Sequence, residues 1–271
     1  MSWKSCIINA LSRCLPEGIK KSMMHLSYHL ASDEFTRFAH VYCLAPNMQC
    51  GLETIAARGF EPKTIIDVGA YEGGWSVAAR AIWPQSKSIL IEPNYEKRGK
   101  LEKLVRELDG DLYFDLLGAQ DGSNVTFNVM ETGSSIMCEN SPVERTVEKR
   151  TLSTLDSLPA DIESPTLLKI DAQGYELEIL RGATRTLSKC EGVLLEIAII
   201  EINVGAPLLH EVVAFMKKIG FIASEVLEIH RRPLDRALSQ IDVLFVREGS
   251  RLLEDRRFTT ISSAAAPRKP R

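Results

Sequence analysis

Short β-rich runs alternate with amphipathic helical periods between residues 61 and 248, which predicts an α/β fold: an open, mostly parallel sheet covered by helices. Three observations carry that prediction. Thr64-Ile-Ile-Asp-Val, Thr166-Leu-Leu-Lys-Ile-Asp and Gly192-Val-Leu-Leu-Glu-Ile are brief and almost continuously apolar, as strands buried on both faces are. Helical periods follow the first two, one behind Gly73-Gly74 and one from Tyr175. Residues 221–228 and 241–246 then read as a closing antiparallel pair.

Taken in order, Leu52, Ile55, Ala56 and Phe60 share one face of a short helix. The strand at 64–68 leads into a helix from Gly73-Gly74 through Ala81. Ser88-Ile-Leu-Ile-Glu is a second strand, ended by Pro93, and residues 95–108 form a helix that stacks Leu101, Leu104, Val105 and Leu108. A third strand falls around 111–117, after which Asp121-Gly122 turns into Val125-Thr-Phe-Asn-Val as in a hairpin. The fourth strand, 166–171, precedes a helix over 175–181 that Gly182 stops. A fifth strand, 192–197, and an amphipathic helix, 208–219, lead to the final pair. Residues 1–60 read as an N-terminal helical extension, 61–248 as one domain, and 249–271 as a disordered tail ending Ala-Pro-Arg-Lys-Pro-Arg.

Composition narrows the partners. Lys+Arg 33 against Asp+Glu 36 leaves a net charge of −3, so no basic excess draws the chain to nucleic acid. The apolar stretch 193–200 is broken by Glu196, and a bilayer span needs about 18–20 apolar residues. No membrane span is expected. The N-terminal apolar run is closed by Arg13 too early for a signal peptide. The six cysteines show no C-x-x-C pair, as free thiols in a reducing compartment do, which predicts a cytoplasmic location. His25 and His29 lie at i, i+4 without a third ligand and read as a helix-surface pair.

In an open α/β sheet, ligands bind beyond the carboxyl ends of the strands. Carboxylates stand at four such ends: Asp67, Glu92, Asp171 and Glu196. A packed core would place apolar residues there. The first loop, Asp67-Val-Gly-Ala-Tyr-Glu-Gly-Gly, sorts the cofactor. A dinucleotide fingerprint needs a second glycine where Tyr71 stands, and no Gly-Lys-Ser/Thr makes a phosphate loop. The pattern suits a cofactor without phosphate, with Gly69 clearing room for it. Glu92, nineteen residues past Gly73, is spaced to accept from ribose hydroxyls. The combination points to S-adenosylmethionine, bound by Asp67, Gly69, Ala70, Tyr71, Gly73, Glu92, Pro93, Asn94 and Asp171.

The run Leu168-Lys-Ile-Asp-Ala-Gln-Gly-Tyr-Glu-Leu-Glu-Ile-Leu-Arg-Gly-Ala resembles the hallmark of the FkbM family of methyltransferases, K-I-D-x-[EQ]-G-[YA]-E-x-x-[VI]-L-x-G-A. Similar pieces follow the family's order: Ile66-Asp-Val-Gly-Ala, Ile91-Glu-Pro-Asn, Gly133-Ser-Ser-Ile, Arg150-Thr-Leu-Ser-Thr-Leu-Asp-Ser-Leu, Leu195-Glu-Ile and Ile241-Asp-Val-Leu-Phe-Val. The resemblance spans roughly residues 61–248. It departs after the fifth strand, where many relatives carry a Leu-Tyr-x-Gly-Gln-Pro-like turn and this chain has Ile202-Asn-Val-Gly-Ala-Pro. It implies a Rossmann-like class I methyltransferase with a seven-stranded sheet whose last strand is antiparallel. It also implies methyl transfer from S-adenosylmethionine, usually to a hydroxyl oxygen of a sugar, glycan or secondary metabolite.

Such a transfer needs donor and acceptor aligned, and a general base on the hydroxyl adds roughly 10²–10⁴. Asp171, Glu196 and His210 are the candidates, with Asp171 foremost at the end of the central strand; Glu176 is either a fourth or a helix-dipole acid. No metal ligands are assigned. A divalent ion held by Asp171 and a neighbouring carboxylate is the competing route. Lys169 reads equally as a partner for a site carboxylate or as a structural ion pair, and Trp75 and Trp83 read as core. A degenerate methyltransferase fold that binds only cofactor or a partner is the alternative function, and Tyr71 argues against an NAD-dependent oxidoreductase. The oligomeric state stays open, a homodimer included.

Overall fold

The computed structural model describes residues 46–131 and 133–259, together with Ile19. The N-terminal segment, the His25/His29 pair, Cys6, Cys14, Cys43 and residues 260–271 lie outside the described residues.

Seven strands form the main sheet: β1 (Thr64–Val68), β2 (Lys87–Ile91), β3 (Asp111–Tyr113), β7 (Thr166–Ile170), β8 (Cys190–Ala198), β9 (Phe221–Arg231) and β10 (Leu238–Arg247), in the order β3-β2-β1-β7-β8-β10-β9. The first five neighbours pair in parallel, and β10 runs antiparallel to β8 and β9, as the sequence predicts. Chain order reverses between β1 and β7, so a crevice opens beyond their carboxyl ends.

Strand periodicity sorts the core into two layers. Ile66, Val68, Leu168, Ile170, Val193 and Leu195 pack on one face, with Ile179 and Leu180 of α4 (Glu176–Arg181), Leu187 of α5 (Thr184–Lys189) and Met216 of α6 (Leu209–Lys218). Ile65, Leu167, Leu194 and Leu244 face the other way, against Leu52 and Ile55 of α1 (Met48–Ala57) and Ala79 of α2 (Gly74–Ile82). Helix α3 (Arg98–Leu108) covers the β2 end through Leu101 and Leu108. The Asn47 side chain caps α1, accepting from the Cys50 N–H at 3.0 Å. Just past residue 248, Leu252 is buried in the second layer and its carbonyl accepts from Arg58.

The third strand differs from its expectation. It ends at Tyr113, and Leu116–Leu117 (β4) instead joins a second, three-stranded sheet in the order β4-β6-β5. The partner of β5 (Asn124–Val129) is β6 (Thr146–Ser153), so the hairpin expected with 111–117 does not form. Asp115 sets the break: its Oδ1 accepts from the Ser153 hydroxyl at 2.7 Å, pulling the chain from one sheet to the other.

Gly69 is where β1 meets β7 most closely. Its φ is +75°, and a Cβ there would lie 1.9 Å from the Asp171 carbonyl oxygen. Gly69→Ala is therefore expected to cost about 1–3 kcal/mol of stability with no ligand present. Thermal unfolding beside Gly74→Ala, where nothing lies within 4 Å, measures it. Equal melting of the two variants contradicts the steric account.

Candidate active site

A cavity of about 310 Å³ opens beyond the carboxyl ends of β1, β2 and β7. That is the lower end of the usual range for small-molecule sites, about 300–1,000 Å³. Gly69, Ala70, Tyr71 and Trp75 line it from the first loop and α2, Glu92 and Pro93 from the end of β2, and Lys169, Asp171 and Gln173 from the end of β7. The small sheet closes another side through Leu117, Phe127, Glu131 and Ser135.

Glu92 is buried, and each of its oxygens is aimed by the backbone. Oε2 accepts from the Tyr71 N–H at 2.7 Å and Oε1 from the Asn94 N–H at 2.8 Å. Each oxygen keeps a further lone pair for a ligand hydroxyl. Burial raises the pKa of this carboxyl, and the two N–H donors only partly counter it. Tyr71 itself sits in left-handed backbone, φ 49°. Its hydroxyl donates to Glu131 Oε2 at 2.8 Å, and Lys97, lying over the Tyr71 ring, donates to the same oxygen at 2.7 Å.

Lys169 answers the question the sequence left open. Its ammonium lies 3.0 Å from Asp67 Oδ1, its register partner on β1, and 3.7 Å from Asp171 Oδ2. It also donates to the Gly69 carbonyl at 3.1 Å. Burial alone would lower its pKa, but the charges of Asp67 and Asp171 hold it above the ordinary lysine value. It is both a structural ion pair and a neighbour of a site carboxylate.

Asp67 is thereby removed from the cofactor wall: its other oxygen accepts from the Ser76 hydroxyl at 2.6 Å, and the side chain is 1% exposed. Gly73 and Asn94 also stand behind the wall. A Cβ on Gly73 would strike Leu104, and the Asn94 side chain caps the turn that follows β2, accepting from the Glu96 N–H. Gly69 does line the cavity, although what its missing Cβ avoids is the Asp171 carbonyl rather than a ligand. Ala70, Tyr71, Glu92, Pro93 and Asp171 line the cavity.

The candidate bases separate. Asp171 reaches the cavity. Glu196 stands behind Gln173, whose amide donates one N–H to Asp171 Oδ1 at 2.9 Å and the other to Glu196 Oε2 at 2.7 Å. Gln240 donates to the same Glu196 oxygen at 2.7 Å. Burial, then repulsion from Asp171 and Asp242, raises the Glu196 pKa well above the carboxyl range. His210 does not come to the site. It is exposed on α6 beside Val213 and Lys217, about 200° round the helix from the buried Val212. Glu176 is buried, tying the turn after β7 by accepting from the Ala172 and Gly174 N–H groups, both at 3.0 Å.

Two cavity residues escaped the sequence reading. Trp75 packs against the second core layer as expected, but it is only half-buried and also lines the cavity, where its indole N–H is buried without a partner among the described residues. Trp83 is core, donating to the Phe60 carbonyl at 2.8 Å. Gln173, at φ 53°, is held by Ser135, whose hydroxyl donates to the Gln173 carbonyl at 3.0 Å. Its place within the hallmark segment was the available signal.

A methyltransferase FkbM domain matches residues 67–223. No curated protein matches the sequence. Among solved structures, a methyltransferase FkbM from Methylobacillus flagellatus KT is similar, 16% identical with a TM-score of 0.43 over 67% of this chain and 43% of that one. This chain thus spans less than half of that protein's length. The magnesium protoporphyrin IX methyltransferase ChlM from Synechocystis PCC 6803, solved with bound SAM, is 10% identical with a TM-score of 0.44, over 84% of this chain and 97% of that one. A 1,6-didemethyltoxoflavin-N1-methyltransferase from Burkholderia thailandensis, solved with S-adenosylhomocysteine, is 11% identical with a TM-score of 0.43, over 85% of this chain and 88% of that one.

Burial pushes the Glu176 pKa up to about 7, against an ordinary carboxyl near 4.5 in the unfolded chain. Between those values the folded state binds the extra proton. The stabilisation from this group is complete below about 4.5 and is lost as pH rises through 7. Glu176→Gln keeps the accepting oxygen and removes the titration. Its melting temperature is expected to gain on wild type between pH 5 and pH 8, by an amount worth about 1–3 kcal/mol. Parallel pH profiles contradict the assignment.

Proposed function

The chain belongs to the FkbM family of methyltransferases, and from that premise we propose that it transfers a methyl group from S-adenosylmethionine to a hydroxyl oxygen of a small-molecule or glycan acceptor. The observation that carries the cofactor reading is Glu92: a buried carboxylate at the end of β2, both oxygens oriented by backbone donors, facing the cavity with acceptor capacity to spare. Two features add to the fit. The unpartnered Trp75 indole N–H offers a buried donor to an acceptor group such as a carboxylate. Tyr71 fills the position where a dinucleotide pyrophosphate would need glycine. The free thiols of Cys138 and Cys190 suit the cytoplasm.

S-adenosylmethionine, when bound, supplies an electrophilic sulfonium methyl for in-line displacement. This chain's residues would bind, orient and remove a proton. Glu92 would take the ribose hydroxyls, and the small sheet would exclude water. Asp171 is the only one of the three candidate bases at the cavity wall, so it is the group placed to accept the hydroxyl proton. Gln173 fixes its rotamer through Oδ1, and the Lys169 ammonium lies 3.7 Å from Oδ2.

Calorimetry with S-adenosylhomocysteine is expected to show binding, and with NADH none. Glu92→Gln should weaken binding by roughly 10–100-fold in a protein that still unfolds cooperatively, its melting temperature lowered by the one backbone hydrogen bond the amide nitrogen cannot accept. Equal affinity would overturn the Glu92 assignment. Asp171→Asn should leave that affinity nearly intact while turnover of an acceptor, found by mass spectrometry as the gain of one methylene mass, falls by roughly 10²-fold or more. Full turnover removes Asp171 from the chemistry, and lost cofactor affinity makes it a binding residue instead.

A further inference from the structure

Beyond Glu196 the sheet carries a second set of polar side chains that the methyl-transfer reading does not use. Glu228 and His230 are two residues apart on β9, hence on one face, and Asp242 on β10 is the register partner of Glu228. One ligand atom from each of the three lies within 4.8 Å of the other two. His230 Nε2 is 2.6 Å from Asp242 Oδ2. The positions are set by strand register rather than by loops, and none of the three lines the cofactor cavity.

We propose that Glu228, His230 and Asp242 form a binding site for a divalent transition-metal ion of the zinc or manganese class. One imidazole and two carboxylates make a donor set of borderline hardness that suits those ions. Three protein ligands also leave coordination positions open for water or another oxygen ligand, as in zinc sites that are not purely structural. The local charge supports it. Asp242 faces Glu196 across β10 and β8, and Glu228 stands opposite Asp242. His230 pairs with Asp242, but the half-buried Glu228 carboxylate has no hydrogen bond or ion pair among the described residues. In the His–Asp pair the imidazole attracts Glu228 only at a distance, whereas a dication would be bound directly by all three side chains.

The test needs neither cofactor nor acceptor, so its failure is separate from any failure of the methyltransferase reading. The full chain, stripped by dialysis against chelator, is titrated with Mn²⁺ under electron paramagnetic resonance and with Zn²⁺ in a calorimeter. One ion per chain is expected. His230→Ala and Glu228→Gln should each weaken binding by at least about tenfold, whereas Asp235→Asn, on the exposed turn between β9 and β10, should not. Absence of stoichiometric binding, or affinity unchanged in both ligand variants, overturns the proposal. Should His230→Ala lower the melting temperature, Glu228→Gln decides alone, because its side chain gives up no bond in the metal-free protein.

Discussion

One buried ion pair organises the site. Lys169 and Asp67 face each other in register across β1 and β7, at the point where the chain order of the sheet reverses. Removing two charges from water costs several kcal/mol each, which their attraction repays only with good geometry and further hydrogen bonds. Here the Ser76 hydroxyl takes one Asp67 oxygen, and the Gly69 carbonyl accepts from the ammonium. The pair is therefore weak evidence of stability and better evidence of placement. It ties the first loop to the end of β7, and the same cation lies beside Asp171 at the cavity. A charge spent on structure also conditions the group nearest the proposed chemistry.

Two non-glycine residues in left-handed backbone sit at this cavity, Tyr71 after β1 and Gln173 after β7. Such conformations cost on the order of 1–3 kcal/mol and persist only where surrounding contacts over-determine them. Both are so held. Glu92 captures the Tyr71 N–H while Glu131 receives its hydroxyl, and the Gln173 amide and carbonyl are taken by Asp171, Glu196 and Ser135. Ligand-binding loops pinned from both sides need little reorganisation on binding, which is where preorganisation gains affinity.

What the sequence made legible follows from burial. Strands hidden on both faces, such as Thr64–Val68 and Thr166–Ile170, read as apolar runs, and their carboxyl ends could be located from them. The strand Thr146–Ser153 could not be read that way. It is largely exposed and carries Glu148, Lys149 and Arg150, so neither an apolar run nor a clean alternation marks it. Asp67 was read from its strand end alone; its ion-pair partner, Lys169, lies on a strand distant in the chain, and pairing them requires the register of two strands. His210 failed for a different reason. Its residue type suited a base, but the phase of its helix, fixed by Val212 and Met216, turns it to solvent.

The amide between the two remaining acids has a chemical logic. Asp171 and Glu196 approach one side chain from two strands, and an amide nitrogen with two hydrogens can satisfy both without adding charge. A lysine there would add a second cation beside Lys169, and a glutamate would add a third negative charge. The buried member, Glu196, favours the proton, since burial and the neighbouring Asp171 and Asp242 both disfavour its charge. The half-buried member, Asp171, is the one that lines the cavity. Gln173 thus lets one acid lie buried behind the cavity wall while the other faces the cavity, with the Lys169 ammonium beside it.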